Sequence, residues 1–581
     1  MNARANRLAP LLLLPALFAA ALLPATSGRA QPPRAQTRYR WMYLATNLLV
    51  DKNVEQAVRL LERAAAAGYN GVVLADSKFM RWDDLPDRYL ANVRKVRDAC
   101  RRLKLQCIAC VFPIGYSEGL LAHDPNLAAG LPVRDAPFVV GGGKLVPDDP
   151  CRIANGSFED YRGNKPSGWN WADEPGKISF LDTEVKRHGK ASMRLENIGQ
   201  YSPRHGHGRI CQALAVQPFR HYHVSAWVRT QEFESAGEVR IAVLGEGGVS
   251  LNYYQPAVRR TQDWKRVDVT FNSLENTRVN LYLGVWGGRG GKIWWDDVRI
   301  GPAGLTNVVR RDGAPLTVTS ADGKTVYVEG KDFDGARDPK LGVVPWPGGF
   351  EAWHEPPAMT VPAASRLREG QTVLVSYYHT ALIHGSQVAC DLSEEKVHEI
   401  LAWQARKVRE HLQPDGYFMQ HDEIRVQGWE PYFQKHGKTA GDVLAENVAR
   451  CAAILRKADP GKPIFVWSDM FDPFHNARKT GRYYLVRGDG PWHGSWKGLP
   501  KDVTVVNWHG HGEGRVESLK HFAALGNPQV LAGYYDADPR AIVNWLKDAD
   551  QAGGAAGVLY TTWRNDYSQL KSFLRAAGEN R

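Results

Sequence analysis

Two rhythms of apolar residues divide this chain. Over residues 40–112, short unbroken apolar runs alternate with stretches in which apolar side chains recur every three or four positions. A run at 41–46 precedes a helical repeat at 54–68, where Val54, Val58, Leu61 and Ala65 share a face, and a second run follows at 70–76. Another helix is expected over 89–103, with Val93, Val96 and Cys100 on one side, before a third run at 107–112. Strands that are apolar on both faces belong to a covered sheet, and helices between them make neighbouring strands parallel. A closed barrel and a doubly wound open sheet share this half-pattern.

The rhythm changes near residue 150, after Gly141-Gly142-Gly143. From 155 to 301 helical periodicity gives way to short alternating segments, among them 192–195, 221–229, 239–244, 266–271, 279–283 and 292–298. Such segments separated by turn residues predict an antiparallel sandwich. The first rhythm then returns, so the sandwich, 151–305, is expected as an insertion. A polar hairpin linker is expected at 306–345. The α/β part is assigned to 37–150 and 346–578, with helices at 393–412, 440–458, 516–525 and 541–552. Nine strand candidates compete for eight places, and the one around Val373 is surplus. Repeated β/α units with polar or aromatic groups at the strand ends favour a (β/α)8 TIM barrel carrying an inserted antiparallel β-sandwich of jelly-roll type.

The amino terminus places Arg4 and Arg7 before an apolar run at 8–23, which ends in small residues up to Ala30. This reads as a secretory signal peptide over 1–30 and predicts a secreted or periplasmic protein. No later segment approaches the ~20 apolar residues of a membrane span, so no membrane insertion is expected. The net charge of +12 comes from dispersed basic residues without a nucleic-acid motif, which speaks against a nucleic-acid partner. The seven cysteines lack zinc spacing, and Cys107-Ile-Ala-Cys110 lies inside an apolar run, as a buried strand would place it.

The candidate chemistry sits at the end of the apolar run 416–419, where Gln420-His421-Asp422-Glu423 puts two carboxylates side by side, with Arg425 and Trp429 beyond. In a parallel barrel the carboxyl ends of the strands face the active site. Other strand ends contribute Trp467, Asp469, Trp508, His509, Tyr534, Tyr535 and Trp563. Carboxyl groups among aromatic platforms are what a sugar-cleaving site needs. The expected catalytic residues are Glu423 and Asp422, with His421, Arg425 and the other strand-end residues binding a carbohydrate substrate.

Two resemblances sharpen this. Asn155-Gly-Ser-Phe-Glu159, Gly189-Lys-Ala-Ser-Met-Arg-Leu195, Trp264 and Trp294-Trp-Asp-Asp-Val298 resemble the jelly-roll carbohydrate-binding modules of the cellulose- and xylan-binding type. That likeness implies a structural Ca²⁺ near Glu159 and Asp297. It also implies exposed tryptophans at a sugar face, for which Trp169, Trp171 and Trp286 are the candidates, with Trp264 and Trp295 assigned to the core. The barrel part resembles the hexosaminidases of glycoside hydrolase family 20, through its Arg40-Trp-Met-Tyr-Leu opening, the Asp-Glu strand end, Trp467-Ser-Asp469, Tyr534-Tyr-Asp536 and the last strand's Trp563. The resemblance implies that Asp422 orients a substrate 2-acetamido group, which attacks the anomeric carbon. Glu423 then protonates the leaving oxygen, Tyr535 or Tyr534 bonds the acetamido oxygen, and Trp467, Trp508 and Trp563 wall the pocket. No metal in the barrel and no other cofactor is implied. The family's His-x-Gly-Gly-Asp-Glu is Phe418-Met-Gln-His-Asp-Glu here, and its first-strand arginine is missing from its place. Two other classes fit the same residues: a two-carboxylate glycosidase with Asp469 or Asp536 as partner to Glu423, and a noncatalytic glycan-binding protein.

Overall fold

The computed structural model describes residues 38–510 and 512–578; the segment read as a signal peptide lies outside them. Eight strands close on themselves in chain order: β1 (Tyr39–Ala45), β2 (Gly71–Ala75), β3 (Gln106–Val111), β4 (Gly416–Met419), β5 (Ile464–Trp467), β6 (Thr504–Asn507), β7 (Gln529–Tyr534) and β8 (Gly557–Thr561). Each pairs with the next in parallel, and β8 returns to β1.

Alternation along the strands fills the barrel. Tyr39, Trp41 and Tyr43 join Phe418, Phe465 and Trp467 in the interior cluster, while Met42 and Leu44 pack outward against the helices. Trp41 is fully buried, 4.7 Å from the Phe465 ring. Its register partner is Gly71, where a Cβ would lie 2.4 Å from the indole nitrogen. The indole of β1 therefore needs a glycine on β2.

The outer helices are α1 (Asp51–Ala66), α2 (Asp87–Arg102), α3 (Glu395–His411), α4 (Ala440–Ala458), α5 (Arg515–Leu525), α6 (Ala541–Gln551) and α7 (Leu570–Gly578). Each buries one stripe, as the 3.6-residue period requires; α1, for instance, buries Val54, Ala57, Leu60, Leu61 and Ala64. A capping box between Thr439 and Asp442 starts α4. The regular β/α repeat is broken once: the β5–β6 connection holds 3-10 turns at Asp469–Phe471 and Ser495–Gly498 instead of an α-helix.

Between β3 and α3 the chain builds three larger antiparallel sheets, besides a two-stranded hairpin of Tyr161–Arg162 with Lys165–Pro166. Two form the sandwich: five strands in the order Gln262–Asn272, His221–Gln231, Lys292–Pro302, Ser192–Leu195, Ser179–Asp182, and four in the order Val239–Leu244, Arg278–Val285, Gly208–Ala215, Trp171–Ala172. The third was not expected. Thr372–His379, the surplus strand around Val373, pairs antiparallel with Leu131–Gly141 and lies outside the barrel. Thr317–Ser320 of the hairpin linker adds to its other side. Segments of the chain assigned to the barrel on either side of the insertion thus form a separate sheet with its own core, including Phe138, Val318, Val373 and Val375.

Trp169, expected at the surface, is buried against Phe158 and donates to the Asn155 carbonyl. Trp295 is core and Trp171 is exposed, as their contexts suggested. All seven cysteines are free and buried.

Candidate active site

A cavity of about 510 Å³ opens above the aromatic layer of Tyr43 and Trp467, at the carboxyl ends of the barrel strands. Asp422 and Glu423 line it together with Gln420, and Trp508, Tyr535, Trp563 and Tyr116 complete the wall. Its size falls in the usual range for ligand pockets, roughly 300–1,000 Å³.

Backbone geometry brings the two adjacent carboxyl groups to one cavity. Alternation along β4 puts Phe418 in the interior and carries Gln420 and Asp422 to the same face, while Met419 packs outward. Glu423 should then face away. It adopts φ +48, a left-handed conformation costly for a residue with a Cβ, and its side chain turns back into the cavity. The same device operates on β7, where Tyr534, Tyr535 and Asp536 have φ +80, +48 and +60. There the turn reverses the alternation. Tyr534 stacks on Tyr560 at 4.4 Å with its hydroxyl on Asp566, and Tyr535 takes the place in the cavity.

The carboxyl groups have different partners. Glu423 receives a 2.7 Å ion pair from Arg425 Nη2 and a 2.5 Å hydrogen bond from the Tyr116 hydroxyl. Arg425 is itself braced by the Gln387 side chain, whose amide also donates to the Glu423 carbonyl at 3.0 Å. Arg425 pairs with Glu423, and among the described residues no cation forms an ion pair with Asp422. Burial, then the charges of Asp469 and Glu423, push its pKa well above the ordinary carboxylate range. Asp469 is fully buried behind the pair. It accepts from the Glu423 N–H at 3.0 Å, the Asn476 amide at 2.8 Å and the Trp508 indole at 3.1 Å. Burial and the Glu423 charge raise it to about 7. Tyr535 is held far above the usual phenol range by burial and by the same three carboxyl groups, so it stays a hydrogen-bond donor.

Of the residues singled out in the sequence, Asp422, Glu423, Trp467, Trp508, Tyr535 and Trp563 line the cavity. Arg425 and Asp469 stand behind them as positioning residues. The remaining three are elsewhere. His421 points outward, fully buried, bonded at 3.0 Å to Asn447 of α4, and burial lowers its pKa to about 3. Tyr534 packs as described, and His509 is paired with buried Asp472 at 3.3 Å. Tyr43, Tyr116 and Gln420 were missed. Alternation from the interior residues Trp41 and Phe418 points to Tyr43 and Gln420, whereas Tyr116 comes from a loop with no period. Asp536, the other candidate partner carboxylate, accepts from the Thr562 hydroxyl and from the N–H groups of Trp563 and Arg564. It serves a turn.

Among the described residues one group has the composition of a metal site: Asp472, His475 and His509, with ligand atoms within 4.8 Å of one another. It lies behind Trp508, whose ring His475 touches at 4.4 Å. In the sandwich, Asp297 faces Arg299 through a bidentate ion pair, and both Glu159 oxygens accept from the Lys190 N–H. These two residues, linked above to Ca²⁺, belong to no group of three ligating side chains among those described. The four-stranded sheet carries exposed Trp171, with Tyr282 at 6.3 Å and the Arg209 guanidinium 4.9 Å over its ring; Trp286 continues the row.

Residues 152–294 match the family described as a carbohydrate binding domain. Among solved structures, a xylan-binding domain from Paenibacillus barcinonensis is similar at 16% identity, covering 28% of this chain and 97% of its own, with a TM-score of 0.21. A rhamnosidase from Novosphingobium sp. PP1Y is similar at 13% identity over 90% of this chain and 55% of its own, with a TM-score of 0.33. A chitobiase from Flavobacterium johnsoniae is similar at 18% identity over 32% of this chain and 27% of its own, with a TM-score of 0.23. No curated protein matches the chain.

Proposed function

We propose that the protein hydrolyses an O-glycosidic bond in an oligo- or polysaccharide, in the manner of a β-N-acetylhexosaminidase whose substrate supplies its own nucleophile. The observation that carries this reading is the inventory of the cavity: five aromatic rings other than Tyr116, and only two carboxyl groups, Asp422 and Glu423. The carboxylates that a two-carboxylate mechanism would recruit from other strands, Asp469 and Asp536, do not line the cavity and are already engaged by backbone and side-chain donors. A pair consisting of a proton donor and a charged group that orients an acetamido N–H needs no third carboxylate. The carbohydrate-binding match over 152–294 supports a glycan as the partner.

The electrostatics of the free protein divide the pair differently from the resemblance. The proton is favoured on Asp422, while Glu423 has a guanidinium and a phenol that suit an anion. Asp422 is accordingly the proton donor in this reading, and Glu423 the charged partner. Tyr535 and Tyr116 donate hydrogen bonds, and Trp467, Trp508 and Trp563 offer faces to the C–H groups of a sugar ring.

Amide variants test both the reaction and the division. Asp422→Asn is expected to lose roughly 10²–10⁴-fold on a natural glycan but far less on an aryl glycoside with a good leaving group, which needs no acid. Glu423→Gln is expected to lose on both. The opposite pattern transfers the acid role to Glu423, and a wild type inert on all 2-acetamido glycosides rejects the reading. A fluorosugar adduct on either carboxylate would replace substrate assistance by an enzyme nucleophile.

A further inference from the structure

The sandwich reaches the barrel through the loop that follows Val239–Leu244. In that loop Tyr253 lies 4.5 Å from Tyr484 and 6.0 Å from His384, and those two rings are 5.9 Å apart. Tyr484 belongs to the β5–β6 connection and His384 to the turn before α3, so one residue of the inserted module meets two of the barrel's. The cluster adjoins the catalytic pair. The Arg425 guanidinium that holds Glu423 lies 4.8 Å from the Tyr484 ring, and Gln387, in the same turn as His384, bonds both Arg425 and the Glu423 carbonyl.

A mere packing contact between modules would bury these rings. Instead His384 is exposed, and Tyr253 and Tyr484 are only half-buried. Two features also show that the rings are held in place. Tyr484 adopts φ +46, a strained conformation for an aromatic residue. Next to Tyr253, buried Asn252 bonds the Val243 N–H and the Ile241 carbonyl, both at 2.8 Å, clamping the loop to the edge of its sheet. An ion pair of 3.3 Å between Glu275 of the sandwich and Arg482 fastens the module to the connection that carries Tyr484. Rigid, partly wet aromatic faces beside a pocket recognise the apolar face of a sugar ring at low ordering cost.

Building on the glycosidase reading, we propose that Tyr253, Tyr484 and His384 form a subsite for a sugar unit adjoining the one in the pocket, so that the inserted sandwich completes the active site. The substrate class is then an oligosaccharide or polysaccharide chain, and the module contributes to the cleft itself.

Calorimetric titration of the full-length protein carrying Asp422→Asn, which slows hydrolysis, with chitotriose, xylotriose and galactotriose reads the subsite with turnover suppressed. Tyr253→Ala is expected to weaken the best of these about tenfold, the cost of losing one aromatic platform, while Tyr253→Phe, which keeps the ring, binds as wild type. Kinetics on the catalytic reading adds a split: Tyr253→Ala raises KM for chitotriose and leaves both constants for 4-nitrophenyl N-acetyl-β-D-glucosaminide unchanged. Equal trisaccharide affinities in wild type and Tyr253→Ala, or no binding of any trisaccharide, overturn the subsite. Trisaccharide binding that depends on Tyr253 without any hydrolysis leaves the subsite standing and refutes the reaction instead.

Discussion

Gly115 offers a sharp test of how the carboxyl pair is held, because the substitution is permitted by its own backbone and opposed by a single contact. Its φ lies outside the left-handed region, so alanine fits the local conformation. A Cβ at this position would, however, stand 2.1 Å from the Asp422 carbonyl oxygen and 3.4 Å from the Glu423 carbonyl carbon. Non-bonded carbon and oxygen seldom approach closer than about 3.0 Å, so the Asp422–Glu423 peptide or the 113–116 loop must retreat by roughly 1 Å. The retreat strikes a staple: the Gln387 amide donates to the carbonyls of Gly115 and Glu423 at 3.1 and 3.0 Å, and Tyr116 holds the Glu423 carboxylate. A displacement of about 1 Å in a catalytic constellation costs on the order of 10²-fold in rate, whereas overpacking one methyl group costs about 1–3 kcal/mol of stability. Gly115→Ala is therefore expected to remain folded, with a modestly lowered melting temperature, and to lose about 10²-fold in kcat on an aryl glycoside. Wild-type kcat in a variant whose crystal structure shows the added methyl group accommodated would refute the claim that this contact sets the site.

Two further perturbations probe charge and the exposed aromatic row of the sandwich. Asp422 has its pKa raised by burial and by the Asp469 and Glu423 charges, so an acid role is active while it is protonated and fades as pH rises through that raised value; Asp469→Asn removes one repulsion and should move the basic limb of the kcat/KM profile to lower pH. An unmoved limb would mean that another group titrates. Trp171→Ala takes the exposed ring from the row with Tyr282 and Trp286, and is expected to weaken retention of the whole protein on an insoluble polysaccharide about tenfold while leaving aryl glycoside turnover intact, as a pull-down and a rate assay would show.

Periodicity alone located the barrel strands and six of the seven outer helices. The helices expected at 440–458 and 541–552 agree with Ala440–Ala458 and Ala541–Gln551 within a residue, because each must present one apolar stripe to a core and their ends carry their own stop signals. The alternation that separates Trp41 from Met42 and Phe418 from Met419 was equally legible, and followed further it reaches Tyr43 and Gln420. Three things were not. The surplus strand around Val373 has the composition of a barrel strand, and only its pairing with Leu131–Gly141 decides where it belongs, since hydrogen-bond partners far apart in the chain leave no local trace. The order of Tyr534 and Tyr535, and the return of Glu423 into the cavity beside Asp422, rest on left-handed residues that break the two-residue period. No side-chain pattern encodes such torsions at non-glycine positions, because they are imposed by surrounding packing that outweighs the local preference. The meeting of Tyr253 with Tyr484 and His384 likewise exists only once an inserted module and two barrel connections have folded against each other. Which residue types stand at the strand ends is written in the chain; which of them face the same space depends on torsions and pairings that exist only in the folded molecule.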